Sequence, residues 1–436
     1  MSELKAGFCR MDITPPLGIH LAGYYTVREA DGMLDPLSVS GLAISDGERT
    51  AVVLVCDLLG LYGEIAGETQ RFVAEKLALP QQAVFLCCTH THTGPSTGGG
   101  RDSGIRSYDE WLMQRLADTG KMAMDDLTPV TGFSAAEGEA PGVTFVRRFL
   151  MKDGHYQTWA KSADPNIERP ACAADETMRL VKIARENAPE LLLVNFQVHP
   201  DNVGGCKISA DFPAVLRNEV EAAVPGARCI FFQGAEGQLI NTDYIHGIVP
   251  KSRDKAALCG HRLAQAALRL YPALSPIEGT DVRFGSASVT VPTKRDPARV
   301  PEALRLIALH EAGRDAEIEP RYDSLPLVAE AYKLRNLDRD DQNEITLTES
   351  FVTFGPLALA GFPGEPFCEI GVDTRAGSPY PVTFACALTN GAEGYYPTAE
   401  AYKQGGYEPR NSPLRDGAAE LLAQTAVQAL KKIHSA

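Results

Sequence analysis

The feature that most constrains this chain is a set of short apolar runs that do not alternate with polar residues. They are TAVVLVCDL (50–58), AVFLCCT (83–89), ELLLVNFQVH (190–199), ARCIFFQG (227–234), LALAGFP (357–363) and PVTFACALTN (381–390). A strand with one wet face shows period-two alternation, whereas a strand apolar throughout has to be covered on both faces. Segments with helical spacing lie between the runs: 63–79, 108–124, 211–224, 255–271 and 417–434. Strands alternating with helices predict an α/β fold, a mixed sheet core covered by helices. Residues 280–350 depart from this pattern. DVRFGSASVTVPTK reads as an alternating strand, and two charged stretches after it read as exposed helices, so this region is expected to be a subdomain or a helix-and-strand insertion. At 436 residues the chain is long enough for one large domain or two to three ordinary ones.

Composition narrows the function. With 44% hydrophobic and 22% charged residues the chain is ordinary for a globular protein. Its net charge of −14 disfavours binding to phosphate backbones or anionic lipid, so neither nucleic acid nor stable membrane association is expected. The N-terminus lacks a basic region followed by an apolar core, and the ten cysteines are scattered without a CxxC pair. Reduced thiols in a cytoplasmic protein are the expectation, with a small molecule as the partner in chemistry. Nothing in the sequence sets the oligomeric state.

Several polar residues stand where apolar runs stop. In FLCCTHTHTGPSTGGGRDSG, His90 and His92 are two residues apart, and i, i+2 side chains of a strand share a face. Imidazole is the commonest metal ligand and titrates near neutrality. Both could bind a metal, or one could bind while the other carries a proton; two hydrogen-bonded histidines at a strand end are the bland alternative. Gly94 opens a glycine-rich loop, 94–104, that would let a substrate reach the backbone or would close over it. His199, at the end of a second run, supplies another imidazole. Glu365 in GFPGEPF is either a helix cap or an anionic ligand that completes a His-His-Glu set of the kind found in hydrolytic zinc sites. Tyr395 and Tyr396 in TNGAEGYYPTAEAY are either packing aromatics or phenols at a reaction centre.

Weaker candidates are assigned to substrate binding. Asp57 ends the first run, where a carboxylate could orient an imidazole. Arg147 and Arg148 could hold an anionic group. Gln233 precedes the small-residue turn GAEGQ, and such turns often face a pocket. In SADFPA, Ser209 or Asp211 is the expected helix cap.

Taken in order, ITPP, CTHTHTGP, VNFQVHP, SADFP, FFQGAEGQ, GFPGEPF and TNGAEGYYPTAEAY resemble the neutral (non-lysosomal) ceramidase family, over about residues 6–434. The resemblance implies the catalytic domain of that family, without its C-terminal β-sandwich. It implies one Zn2+ per chain, held by His90, His199, Glu365 and Tyr395, with His92 beside the metal as proton carrier. It also implies hydrolysis of an amide bond by metal-activated water. The family's serine has no counterpart in QGAEGQLIN, where Gln238, Leu239 and Ile240 stand. The expectation is therefore a cytoplasmic zinc hydrolase acting on an amide or ester of a small polar molecule. The alternatives are a metal-dependent lyase or isomerase on a sugar-like or hydroxy-acid substrate, a true ceramidase, and a non-catalytic metal-binding protein.

Overall fold

Alternate residues of the central strands face two different apolar layers. In the strand Thr50–Cys56, Val52, Leu54 and Cys56 pack with the helices Glu64–Leu77 and Ser103–Asp125. Ala51, Val53 and Val55 of the same strand face the opposite way, into a core shared with a second sheet. This two-sided burial is what the unalternating runs require. The computed structural model describes residues 4–98 and 103–435.

Among the described residues the larger sheet has nine strands. Its order is Arg228–Gln233, Leu191–Phe196, Thr177–Arg185, Thr128–Glu139, Lys5–Asp12, Ser38–Ser45, Thr50–Cys56 and Val84–Cys88, with Ser275–Ile277 added beside Thr128–Glu139. The outermost pair at each end is parallel and every pairing between them is antiparallel. The second sheet runs Val282–Pro292, Glu344–Phe354, Leu357–Gly361 and Val382–Cys386, and its last pair is also parallel.

The two sheets face each other across a core that includes Phe85, Phe133, Phe232, Phe354 and Phe384. The helices Phe212–Ala223 and Arg253–Leu270 cover the other half of the large sheet. The helices Cys368–Gly377 and Ala418–Ser435 cover the outer face of the small one. The layers are thus helix, sheet, sheet, helix. Asp211 caps the helix Phe212–Ala223, accepting from the Phe212 N–H at 2.6 Å, as SADFPA predicts. All ten cysteines are free thiols, and among the described residues no helix is long and apolar enough to cross a membrane.

The 280–350 region differs from expectation in one respect. Its two long strands pair along their whole length within the second sheet. The helices between them, Val300–Glu311 and Ser324–Arg339, pack on each other through Leu306, Ile307, Val328 and Leu334. The second of them is not simply exposed. One of its faces carries Ala329, Lys333, Asn336 and Leu337 to the wall of a cavity.

Phe232 and Phe384 meet across the inter-sheet core with ring centroids 5.6 Å apart. Replacing Phe232 by Ala would remove that contact and leave a cavity, so Phe232→Ala should lower unfolding free energy by about 3–5 kcal/mol. Urea unfolding would measure it, and a loss below about 1 kcal/mol would contradict this account of the core.

Candidate metal centre and the cavity above it

The three parallel strand pairs point their carboxyl ends to one place, where ligands of α/β folds commonly bind. His90 lies past Val84–Cys88, His199 past Leu191–Phe196 and Glu236 past Arg228–Gln233. Glu365 follows Leu357–Gly361, and Tyr395 follows Val382–Cys386. Glu365 and Tyr395 are direct partners in a short parallel bridge between their two loops.

His90 and His92 converge for a different reason from the one their spacing suggests. The strand stops at Cys88, and His90 adopts a left-handed backbone with φ 74°. Such a conformation is strained for a residue with a Cβ. It is held by the His90 N–H donating to Leu58 O at 2.8 Å, and the ring Nδ1 lies 2.8 Å from Leu59 O. The rings of His90 and His92 are edge to face at 4.9 Å. His199 is fixed in the same manner, its Nδ1 lying 2.8 Å from Leu239 O. A carbonyl only accepts, so both Nδ1 atoms carry a proton, and in the neutral ring the lone pair is on Nε2.

Those two Nε2 atoms face one oxygen. Glu365 Oε2 is 3.3 Å from His90 Nε2 and 3.2 Å from His199 Nε2. All three atoms are buried without a hydrogen-bond partner. Ligands bound tetrahedrally at zinc distances are separated by about 3.3 Å, so this spacing fits a metal of that size. His92 is near enough to form a His90–His92–His199 set, and Glu236 a His90–Glu236–Glu365 set, with ligand atoms within 4.8 Å of one another.

The charges follow from this crowding. Burial alone would lower the His90 pKa, but Glu365, assisted by Glu236 and the Leu59 carbonyl, raises it to about 9. Burial and the nearby Arg147 guanidinium push His199 down to about 4. Burial, opposed by His90 and reinforced by the Glu365 charge, raises Glu236 to about 8. By themselves these side chains hold a His90 imidazolium against a Glu365 carboxylate, with His199 neutral and Glu236 protonated near pH 7. Burial also pushes His92 far down, aided by the charges of His90, His199 and Lys251 and opposed by Asp201. Both His92 ring nitrogens lack a partner, and Asp201 Oδ1 stands 4.0 Å from Nδ1. Gly23 (φ 103°) lets the backbone pass this ring, since a Cβ there would lie 2.6 Å from His92 Nδ1.

Tyr395 and Tyr396 point apart. Tyr395 lines the cavity, and its hydroxyl oxygen accepts from Arg147 Nη2 at 3.2 Å. Tyr396 is fully buried and donates to Pro363 O at 2.7 Å.

The residues assigned to substrate binding have the following partners. Arg147 is buried, donates to Glu408 Oε1 at 2.6 Å and to Gly237 O at 2.9 Å, and so positions Tyr395 rather than a substrate. Arg148 donates to Ala401 O and Gly405 O at 3.2 and 2.9 Å. Asp57 accepts two hydrogen bonds from Arg217 at 2.7 and 2.8 Å and two from Ser38 at 2.9 Å, and it touches no imidazole. Gln233 donates to Val198 O at 3.0 Å, beside His199 but away from the cavity. Gly94 is buried, its carbonyl accepting from Ala22 N at 3.0 Å. The loop after it is anchored as far as Gly98, whose N–H donates to Asp109 at 3.0 Å. Residues 99–102 of the expected closing loop lie outside the described residues.

Above the centre is a cavity of about 660 Å³, floored by His90, His92 and Glu365. Six tyrosines stand in its walls, Tyr24, Tyr25, Tyr62, Tyr332, Tyr395 and Tyr407, among apolar residues that include Leu21, Leu59, Leu337 and Ile345. Lys333, Asn336, Gln342, Glu393 and Asn411 add polar groups. Sequence reasoning missed Glu236, Lys333 and Glu393. Glu236 carried a faint signal, a lone carboxylate in a small-residue turn after an apolar strand.

The buried Asp57–Arg217 pair ties the ends of two strands to a helix, so Asp57→Ala should cost about 3–5 kcal/mol by stranding the guanidinium. Folded chains should still bind metal, at weaker affinity because the loop carrying the Leu59 carbonyl is loosened, as read by elemental analysis and chelator competition. A variant of unchanged stability that loses metal would instead make Asp57 part of the centre.

No protein-family model and no curated protein matches the chain. Among solved structures it is similar to the neutral ceramidase from Pseudomonas aeruginosa, at 16% identity and a TM-score of 0.71, covering 99% of this chain and 75% of that one. It is also similar to a ceramidase complexed with C2, at 16% identity and a TM-score of 0.73, covering 99% of this chain and 76% of that one. At this identity the likeness is one of fold, and the fold class is the mixed α/β architecture that the apolar runs predict.

Proposed function

We propose that this chain is a zinc-dependent hydrolase that cleaves an amide or ester bond of a small polar molecule. The observation that carries the reading is the meeting of three buried, unpartnered polar atoms, His90 Nε2, His199 Nε2 and Glu365 Oε2, at 3.2–3.3 Å. Two imidazole nitrogens and a carboxylate so close call for a positive charge between them, which a proton on His90 or a metal ion supplies. Two nitrogens and an oxygen suit zinc. Tyr395 is the fourth ligand in this reading; burial and the Glu365 charge hold its phenol pKa well above the ordinary value, and the Arg147 guanidinium opposes that shift.

When bound, Zn2+ supplies a Lewis acid for a carbonyl oxygen and lowers the pKa of water to near neutrality. The chain's own groups do the rest. His92, neutral and with free nitrogens, accepts a proton at the attack and returns it to the leaving group. The Asp201 carboxylate beside it stabilises the imidazolium in between. Burial works against that carboxylate, but His92, Lys251 and Tyr24 hold its pKa at about 2. The Glu365, His90 and Tyr395 side of the centre opens on the cavity, which supports a catalytic rather than a closed structural site. The tyrosines, amides and charged groups of that cavity offer hydrogen-bond partners to a small polar substrate.

His90→Ala and Glu365→Ala should each lose stoichiometric zinc, measured on purified protein by elemental analysis. Full retention of metal in both would sink the ligand set. Zinc affinity should also depend on pH with a definite sign. The His90 pKa is raised to about 9, so below that pH zinc must displace a proton. Affinity should rise by about tenfold per pH unit from pH 6 toward 9 and then level off. Competition with a chelating dye would measure the slope, and a flat profile would contradict the proton count.

A further inference from the structure

Lys333 is the one lysine or arginine among the described residues that line the cavity, and its ammonium makes no ion pair and no hydrogen bond there. The basic groups around it are all engaged by the protein. Arg147 is paired with Glu408, and Lys251 with Asp201 at 2.5 Å. Arg28 donates to the carbonyls of His92 and Gly205, and Lys294 to those of Pro409 and Arg410. The helix that carries Lys333 is held in place on both sides of it. Leu334 and Val328 pack into its helix pair, and Glu330 accepts ion pairs from Arg299 and Arg410 at 3.0 Å. A cation on a fixed helix, facing a partly dry cavity, is costly unless a ligand supplies its counter-charge.

Resting on the hydrolase reading, we propose that Lys333 determines specificity by binding a carboxylate of the substrate, and that the substrate class is the N-acyl amino acid. Three features select that class. A single ammonium matches a monoanion, while Glu365 and Glu393 in the same cavity repel a dianion such as a phosphate monoester. The scissile carbonyl has to reach the floor while its anionic end reaches the helix, so one small molecule carries both. The tyrosine walls, with Tyr25 and Tyr332 stacked at 6.2 Å and the Tyr25 and Tyr407 hydroxyls 3.2 Å apart, offer an amphipathic surface for an amino-acid side chain. Burial lowers the Lys333 pKa, and the charges of Glu365 and Glu393 act against that shift.

The test compares binding of N-acetyl amino acids, from glycine to phenylalanine, with binding of their C-terminal carboxamides. Calorimetry on the zinc-loaded protein would read both. The wild type should bind at least one acid roughly tenfold to a hundredfold more tightly than its carboxamide, the worth of one charge-assisted hydrogen bond. Lys333→Met should abolish that preference while leaving carboxamide affinity and zinc content unchanged, and Lys333→Arg should retain part of it. The unchanged carboxamide affinity serves as the control for an intact cavity. No preference in the wild type overturns the proposal. So does a preference that survives in Lys333→Met, which would make the metal the partner of the acid. Turnover separates this from the hydrolase reading. Acids held through Lys333 but never cleaved would fell the hydrolase and leave Lys333, whereas equal cleavage of acid and carboxamide would do the reverse.

Discussion

Two backbone carbonyls, those of Leu59 and Leu239, set the chemistry of everything around them. Each fixes the proton of a buried imidazole on Nδ1 and so turns an Nε2 lone pair inward, toward the same carboxylate oxygen. The loops that carry these carbonyls have to be rigid, and they are anchored independently. The first follows Asp57, clamped by Arg217 and Ser38. The second is held by the Gly237 N–H on Pro366 O, by Arg147 on Gly237 O, and by Leu239 pairing with Val146. Asp57 and Arg147 thus matter to the centre without facing a substrate. Their charges are neutralised inside the protein so that two loops keep their shape.

The position of the centre follows from how the sheets are built. Parallel pairs occur only where crossover helices cover a face, and each leaves two carboxyl ends side by side. Two such pairs close the ends of the large sheet and a third closes the small one. Facing the sheets across an aromatic core brings all three to one rim, so ligand candidates distant in sequence meet there. The antiparallel strands between them carry none of these groups.

Elements buried on both faces were the easiest to read, because nothing polar interrupts Val84–Cys88 and only Asn195 interrupts Leu191–Phe196. Ser38–Ser45 and Thr128–Glu139 were not recognised as strands. Their serines, glycines and glutamates disguise the pattern, and long-range antiparallel pairing, not local propensity, makes them strands. His90, His199 and Glu365 were legible as polar residues stranded at the ends of apolar runs. The actual geometry of His90 was not, since a left-handed residue is set by the loop around it. Arginines mislead for a general reason: a sequence shows a cation but not its counter-ion, and Glu408, which engages Arg147, lies far along the chain. Lys333 shows the converse. It reads as one charge on a charged helix until the fold shows which way that helix faces.

That helix also explains how such a chain could alter its substrate while retaining its reactive centre. The ligand candidates sit on loops between two sheets, where any change disturbs the shared aromatic core. Lys333, Asn336 and Leu337 sit on a helix inserted between two strands at the edge of the small sheet, packed mainly on its neighbouring helix and on Tyr407–Asn411. Substitutions on its cavity face change what the wall recognises without breaking a contact of the imidazoles or Glu365, because no hydrogen bond or ion pair joins Lys333 to them and only the Glu365 charge is felt there. On the reading proposed here, bond cleavage and recognition belong to separately supported parts of the fold, and substrate class is a property of the insertion.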